Sequence, residues 1–101
     1  MFFQTRKFEM GVHLEMLVWG RKKPVDITPG WRSMMHGLLY DEGLIGLVTC
    51  EDVPVLRRLA KDQLKGEREP PFDWAQDIAD NINAIADAVE KHGHVIVEAH
   101  W

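Results

Sequence analysis

His94, Glu98 and His100 fall at even spacing near the end of the chain, and His13 and Glu15 fall two apart near its start. Imidazole nitrogens and carboxylate oxygens are the donors of zinc and iron sites, and residues two apart on an extended strand share a face. If the two segments pair as strands, these donors converge, which makes His94, Glu98 and His100 the candidate metal ligands. The spacing matches no established ligand pattern, however. His94 and His100 would stand about 20 Å apart along a straight strand, so a single ion reaches both only across a bend. The plain alternative is a solvated polar sheet face. His92 reads instead as a cation at the C-terminal end of a helix, where it complements the dipole.

Cys50 is the single cysteine of the chain. It can form no internal disulfide and no cysteine-rich zinc site, which fits a reducing compartment and places the protein in the cytoplasm. A thiol between a strand and a helix can be activated by the helix N-terminus, but Glu51 and Asp52 oppose a thiolate and no histidine is near in sequence. A structural cysteine is the simpler reading. Arg21, Lys22 and Lys23 beside Trp19, with Trp31 and Arg32 downstream, have the composition of a single-strand nucleic-acid contact. Three cations in a turn are also what a solvated loop contains, and the net charge of −4 argues against general nucleic-acid affinity. No glycine-rich phosphate loop is present, and no cofactor is expected.

The clearest pattern is DWAQDIADNINAIADAVEKH, residues 73 to 92. Trp74, Ile78, Ile82, Ile85 and Val89 recur at helical spacing, while Asp73, Asp77, Asp80 and Asp87 fall on another side. The apolar stripe needs a core to pack on. The acidic stripe either solubilises an outward face or engages the Arg and Lys side chains of a partner. Charge is polarised the same way: residues 51 to 101 carry six Lys/Arg against eleven Asp/Glu, and residues 1 to 50 carry six against five.

The remaining elements follow from periodicity. Phe8, Met10, Val12, Leu14, Met16 and Val18 alternate with Glu9, Gly11, His13 and Glu15, the signature of a half-buried strand over 8–18. Gly20 to Pro24 turns the chain, and Val25 to Ile27 forms a short extended piece. Thr28 and Pro29 read as N-cap and first residue of a helix carrying Trp31, Met34, Met35, Leu38 and Leu39. A hairpin pairing Met34–Tyr40 with Leu44–Cys50 competes with that helix. Leu44 to Thr49 reads as a buried strand, followed by a helix capped by Asp52, with Val55, Leu56, Leu59, Ala60 and Leu64 inward and Gly66 as its stop. Glu67 to Phe72 is a proline-interrupted linker. Residues 73 to 92 form the long helix, ended by Gly93, and His94 to Trp101 the last strand, with Val95, Val97, Ala99 and Trp101 on one face.

A chain of 101 residues with 46% hydrophobic residues builds one core and one domain. The expected class is α+β, or a small α/β, with about three helices on a three-stranded sheet in the order β-α-β-α-α-β and any parallel crossover right-handed. The N-terminus carries no secretory signal, and no apolar run approaches the length of a membrane span. The function expected is a small non-catalytic binding protein with a basic protein partner, self-association being compatible with its surplus aromatics. Small acidic phage proteins that inhibit nucleic-acid enzymes are one instance of that class. Asp73, Asp77, Asp80, Asp87 and Trp101 are its candidate contacts, with Trp101 packing on its own domain or across a subunit interface. The alternative is a small metal-dependent enzyme or metal-binding protein using the His94/Glu98/His100 face.

Overall fold

The computed structural model describes residues 12–65 and 73–101, with side chains from 75 onward in the second segment. Strand β1 is His13–Val18, β2 is Val25–Asp26, helix α1 is Arg32–Asp41, β3 is Gly46–Thr49, α2 is Val53–Leu64, α3 is Asp73–His92 and β4 is His94–His100. The strands form one sheet in the order β2-β1-β4-β3, and every neighbouring pair is antiparallel. The class is therefore α+β, the first of the two classes expected, but among the described residues the sheet has four strands rather than three and contains no parallel crossover. The additional strand is the extended piece at Val25, which pairs with Met16. It is cut short because Pro24 precedes it and the Asp26 carboxylate accepts the Thr28 backbone N–H at 2.8 Å, turning the chain.

Residues 32–41 are helical, so the hairpin alternative does not form. The helix starts later than Thr28 and Pro29 predict. Thr28 is held against β1: its hydroxyl accepts the Leu14 N–H at 2.9 Å and donates to the Leu14 carbonyl at 3.1 Å. With that side chain committed to the sheet, the helix N-cap position falls to Trp31, which makes no side-chain cap. At the other end, the Gly43 N–H bonds the Tyr40 carbonyl and the Leu44 N–H bonds the Leu39 carbonyl. Gly43 has φ +70°, and Leu44 and Leu39 are both buried, so the helix closes on a Schellman motif with its apolar contact. This motif takes Leu44 into the core ahead of β3, and the strand begins at Gly46 rather than Leu44.

Asp52 precedes α2 as expected, but its carboxylate reaches backward to accept the Thr49 N–H at 2.9 Å and closes the single 3-10 turn Cys50–Asp52. Leu56, Leu59 and Ala60 are buried, whereas Leu64, expected inward, is exposed at the helix end. Phe8–Gly11 of the first strand, the Gly66 stop, the linker 67–72 and the side chains of Asp73 and Trp74 lie outside the described residues.

The core lies between one face of the sheet and the helices. Val12 just before β1, Leu14, Met16 and Val18 within it and Val95 and Val97 of β4 point into it, as do Met35 and Leu39 of α1 and Leu56 of α2. Ile78, Ile82, Ile85 and Val89 of α3 are fully buried against them, so the apolar stripe is read correctly by its spacing. Helices α2 and α3 run antiparallel: Arg57, early in α2, bonds Asn83, Asp87 and Glu90 in the later half of α3. Among the described residues no polar side chain is buried, so the interior is a single apolar cluster. No helix of the described residues is long and apolar enough to cross a membrane.

Candidate functional site

Because side chains alternate along a strand, directing Leu14, Met16, Val95 and Val97 into the core forces their neighbours onto the opposite face of the sheet. The register arranges those neighbours in rows. His13 stands opposite His100, Glu15 stands between Asp26 and Glu98, and Ile96 stands between Leu17 and Leu47. The outward face thus carries an imidazole pair, a row of three carboxylates and a row of three aliphatic side chains. The aliphatic row is open to solvent at Leu47, 62% exposed, and Ile96, 39% exposed.

The imidazoles and carboxylates touch. His100 Nε2 is 3.2 Å from Glu15 Oε1 and 3.3 Å from Glu98 Oε1, and His13 Nε2 is 3.7 Å from the same Glu15 oxygen. The two rings lie 6.5 Å apart between centroids. Across neighbouring strands, like charges directly opposite one another repel, and here Asp26, Glu15 and Glu98 form such a row with the imidazoles beside it. Asp26 has its pKa held below the usual carboxylate range, first by the Thr28 side chain, then by the Thr28 backbone N–H, with smaller help from His13 and Arg32. His13 Nδ1 is 3.2 Å from the Thr28 hydroxyl. That hydroxyl is also bonded to both polar groups of Leu14, so Thr28 fixes the Nδ1 side of the ring while Nε2 faces Glu15.

Strand pairing therefore brings Glu98 and His100 together with His13 and Glu15, but not with His94. His94 is paired with Thr49 at the far end of β4. Among the described residues, no group of three or more His, Cys, Asp or Glu side chains is placed to hold a metal ion. His94 does come to lie beside the strand end leading into Cys50, a proximity invisible in the sequence. The Cys50 thiol is exposed and directed at the Gly93 carbonyl at 3.5 Å.

The acidic stripe of α3 is largely occupied within the molecule. Asp77 accepts the Gly30 N–H at 2.6 Å and an Asn81 amide N–H at 3.1 Å. Asp80 accepts from the Gln76 amide at 2.7 Å. Asp87, with Glu90, accepts from the Arg57 guanidinium, whose pKa these carboxylates raise, Asp87 foremost. Arg21, Lys22 and Lys23 are exposed in the β1–β2 turn with Trp19. Arg32 bonds the Val12 carbonyl at the opposite end of β1, so Trp31 and Arg32 do not extend that basic turn.

Trp101 is 72% exposed and meets the His36 ring edge-on at 5.0 Å, while His36 stacks on Tyr40 at 5.9 Å. These rings, with Gly43, Ile45 and Ala99, line an open cleft of about 480 Å³. Among the described residues, the ring contact of Trp101 is with His36.

Sequence reasoning did not assign the row of Leu17, Ile96 and Leu47 or the part of Asp26. The signal available was the apolar residue at an outward position of two predicted strands, Leu17 and Ile96. Which residues stood opposite them depended on strand order. No family model matches the chain, and comparison with curated proteins and with solved structures finds no match.

Proposed function

We propose that this protein is a non-catalytic binding module that docks a basic protein surface on the open face of its sheet. The observation that carries the reading is the aliphatic row Leu17–Ile96–Leu47, exposed at Ile96 and Leu47 and lying directly beside the carboxylate row Asp26–Glu15–Glu98. An exposed apolar strip bordered on one side by carboxylates has the composition of a docking surface: the strip supplies buried area, and the carboxylates select and orient a cationic partner. The acidic helix predicted for this role has its described carboxylates engaged by Gly30, Gln76 and Arg57. The sheet carboxylates are engaged too, by His13, His100 and Thr28, but only they lie beside an exposed aliphatic row, and the partner chemistry is assigned to the sheet on that ground. A basic groove that serves nucleic acid fits such a face, and its occupation by this chain would block the groove.

The test is capture of partners by the tagged protein at low and high salt, comparing wild type, Leu47→Lys with Ile96→Lys, and Asp80→Asn. The expected result is a basic protein held by wild type and by Asp80→Asn at low salt, released at high salt and lost with the paired lysine variant. Retention by the lysine variant would overturn the reading. Dimeric mass in sedimentation, abolished by the same two lysines, would replace the partner with a second copy of the chain.

A further inference from the structure

We infer that the cleft between the β1–β2 turn and the C-terminal end of α3 binds a small phosphate monoester with an apolar organic part. The cleft lies on the helix side of the sheet, away from the docking face, and the inference stands independently of that reading. Its volume is about 270 Å³, close to the lower end of small-ligand sites, at roughly 300–1,000 Å³. The floor is apolar, made by Met16, Val18, Val25 and Ala88, and the cations Arg21, Lys91 and His92 line it as well.

Strand register assembles this corner from distant parts of the chain. Val18, the last residue of β1, is paired with Val95, which follows directly on the turn after α3, so the end of β1 arrives beside Lys91 and His92. The Arg21 N–H then bonds the Val18 carbonyl at 3.1 Å, folding the turn back on the strand. Val25 stands opposite Met16 and continues the floor. Val25 and Ala88 are partly buried against the core, which leaves part of each for an apolar ligand group to cover.

Charge selects the head of the ligand. Among the described residues, none of Arg21, Lys91 and His92 takes part in an ion pair. Asp87 also lines the cleft, but its carboxylate is bonded to Arg57 at 2.7 Å and so is already offset. Lys91 and His92 stand in the last turn of α3, where they counter the partial negative charge of the helix end. Arg21 adds a guanidinium from another element, and Lys22 and Lys23 extend the positive charge along the exposed turn. A phosphate monoester carries about two negative charges at neutral pH and three acceptor oxygens, whereas a carboxylate carries one charge. Two full cations of separate origin, with an imidazole N–H beside them, therefore match the phosphate better.

The experiment is isothermal titration calorimetry of the purified chain with phenyl phosphate, benzoate, phenol and inorganic phosphate. Wild type, Arg21→Ala, Lys91→Ala and Lys65→Ala are compared, with circular dichroism confirming that each is folded. Lys65 is an exposed lysine at the far end of α2 and serves as the control. The expected result is one saturable phenyl phosphate site per chain, with weaker binding of the other three compounds. Arg21→Ala and Lys91→Ala each lower the affinity on the order of tenfold, as loss of a charge-assisted hydrogen bond does, and Lys65→Ala leaves it unchanged. Absence of saturable phenyl phosphate binding would overturn the proposal. So would benzoate or inorganic phosphate binding as tightly as phenyl phosphate, or a loss with Lys65→Ala equal to that with Lys91→Ala.

Discussion

Several charged residues act here as local connectors, and their contributions can be weighed by exposure. Arg57 links α2 to α3 through Asn83, Asp87 and Glu90, but the guanidinium is 38% exposed and its carboxylate partners more so. Solvent screening discounts such pairs, and Arg57→Ala is expected to cost about 1 kcal/mol in urea denaturation, less at high salt. Asp26 gives a pH signature instead. Its folded pKa is depressed, so its contribution is present above the ordinary carboxylate value of about 4 and is lost as pH falls through the lower folded value. Asp26→Asn should therefore be less stable than wild type at neutral pH, and the two should converge in acid. A difference that persisted unchanged into strong acid would show that the Asp26 charge is not what Thr28 stabilises.

The elements are bounded by chain geometry more than by propensity. Helix α1 ends where Gly43 adopts a positive φ, and α3 ends at Gly93, whose φ is +90° and whose N–H bonds the Val89 carbonyl at 2.7 Å. A side chain at Gly93 finds open space, so Gly93→Ala tests conformation alone and is expected to cost roughly 1 kcal/mol in thermal or urea unfolding. Asp77 joins the loop before α1 to α3 through Gly30. Removing that acceptor by Asp77→Ala should cost about 1 kcal/mol and accelerate hydrogen exchange at the Gly30 amide, while amides inside α3 remain protected. The edge strands β2 and β3 are only two and four residues long, which limits edge-to-edge pairing with other chains.

At the scale of the molecule, stability rests on the layer of α3 against the sheet. Ile82 is fully buried, and Ile82→Ala should lose about 2–5 kcal/mol, a large part of what holds a domain of this size together. Leu47→Lys, on the other face, should leave the melting temperature nearly unchanged, because its side chain is already in water. Residue spacing by itself determined which face of β1, β4 and α3 is buried, because burying one side of a strand or helix leaves a period of two or 3.6 that no other chain geometry reproduces. It also determined the glycine stop of the long helix, and it left α+β and a small α/β both open until the antiparallel pairing decided between them. Strand order is a different kind of fact. Nothing local makes β4 lie between β1 and β3, so the meeting of His100 with His13 and Glu15, the exclusion of His94, and the alignment of Leu17, Ile96 and Leu47 had to await the sheet. The same holds for Asp77, Asp80 and Asp87: their spacing predicts a common face, but only packing brings Arg57 and Gly30 to Asp87 and Asp77. Long-range pairing is settled by the summed burial of the whole core, and the candidate sites of this protein are made by that pairing.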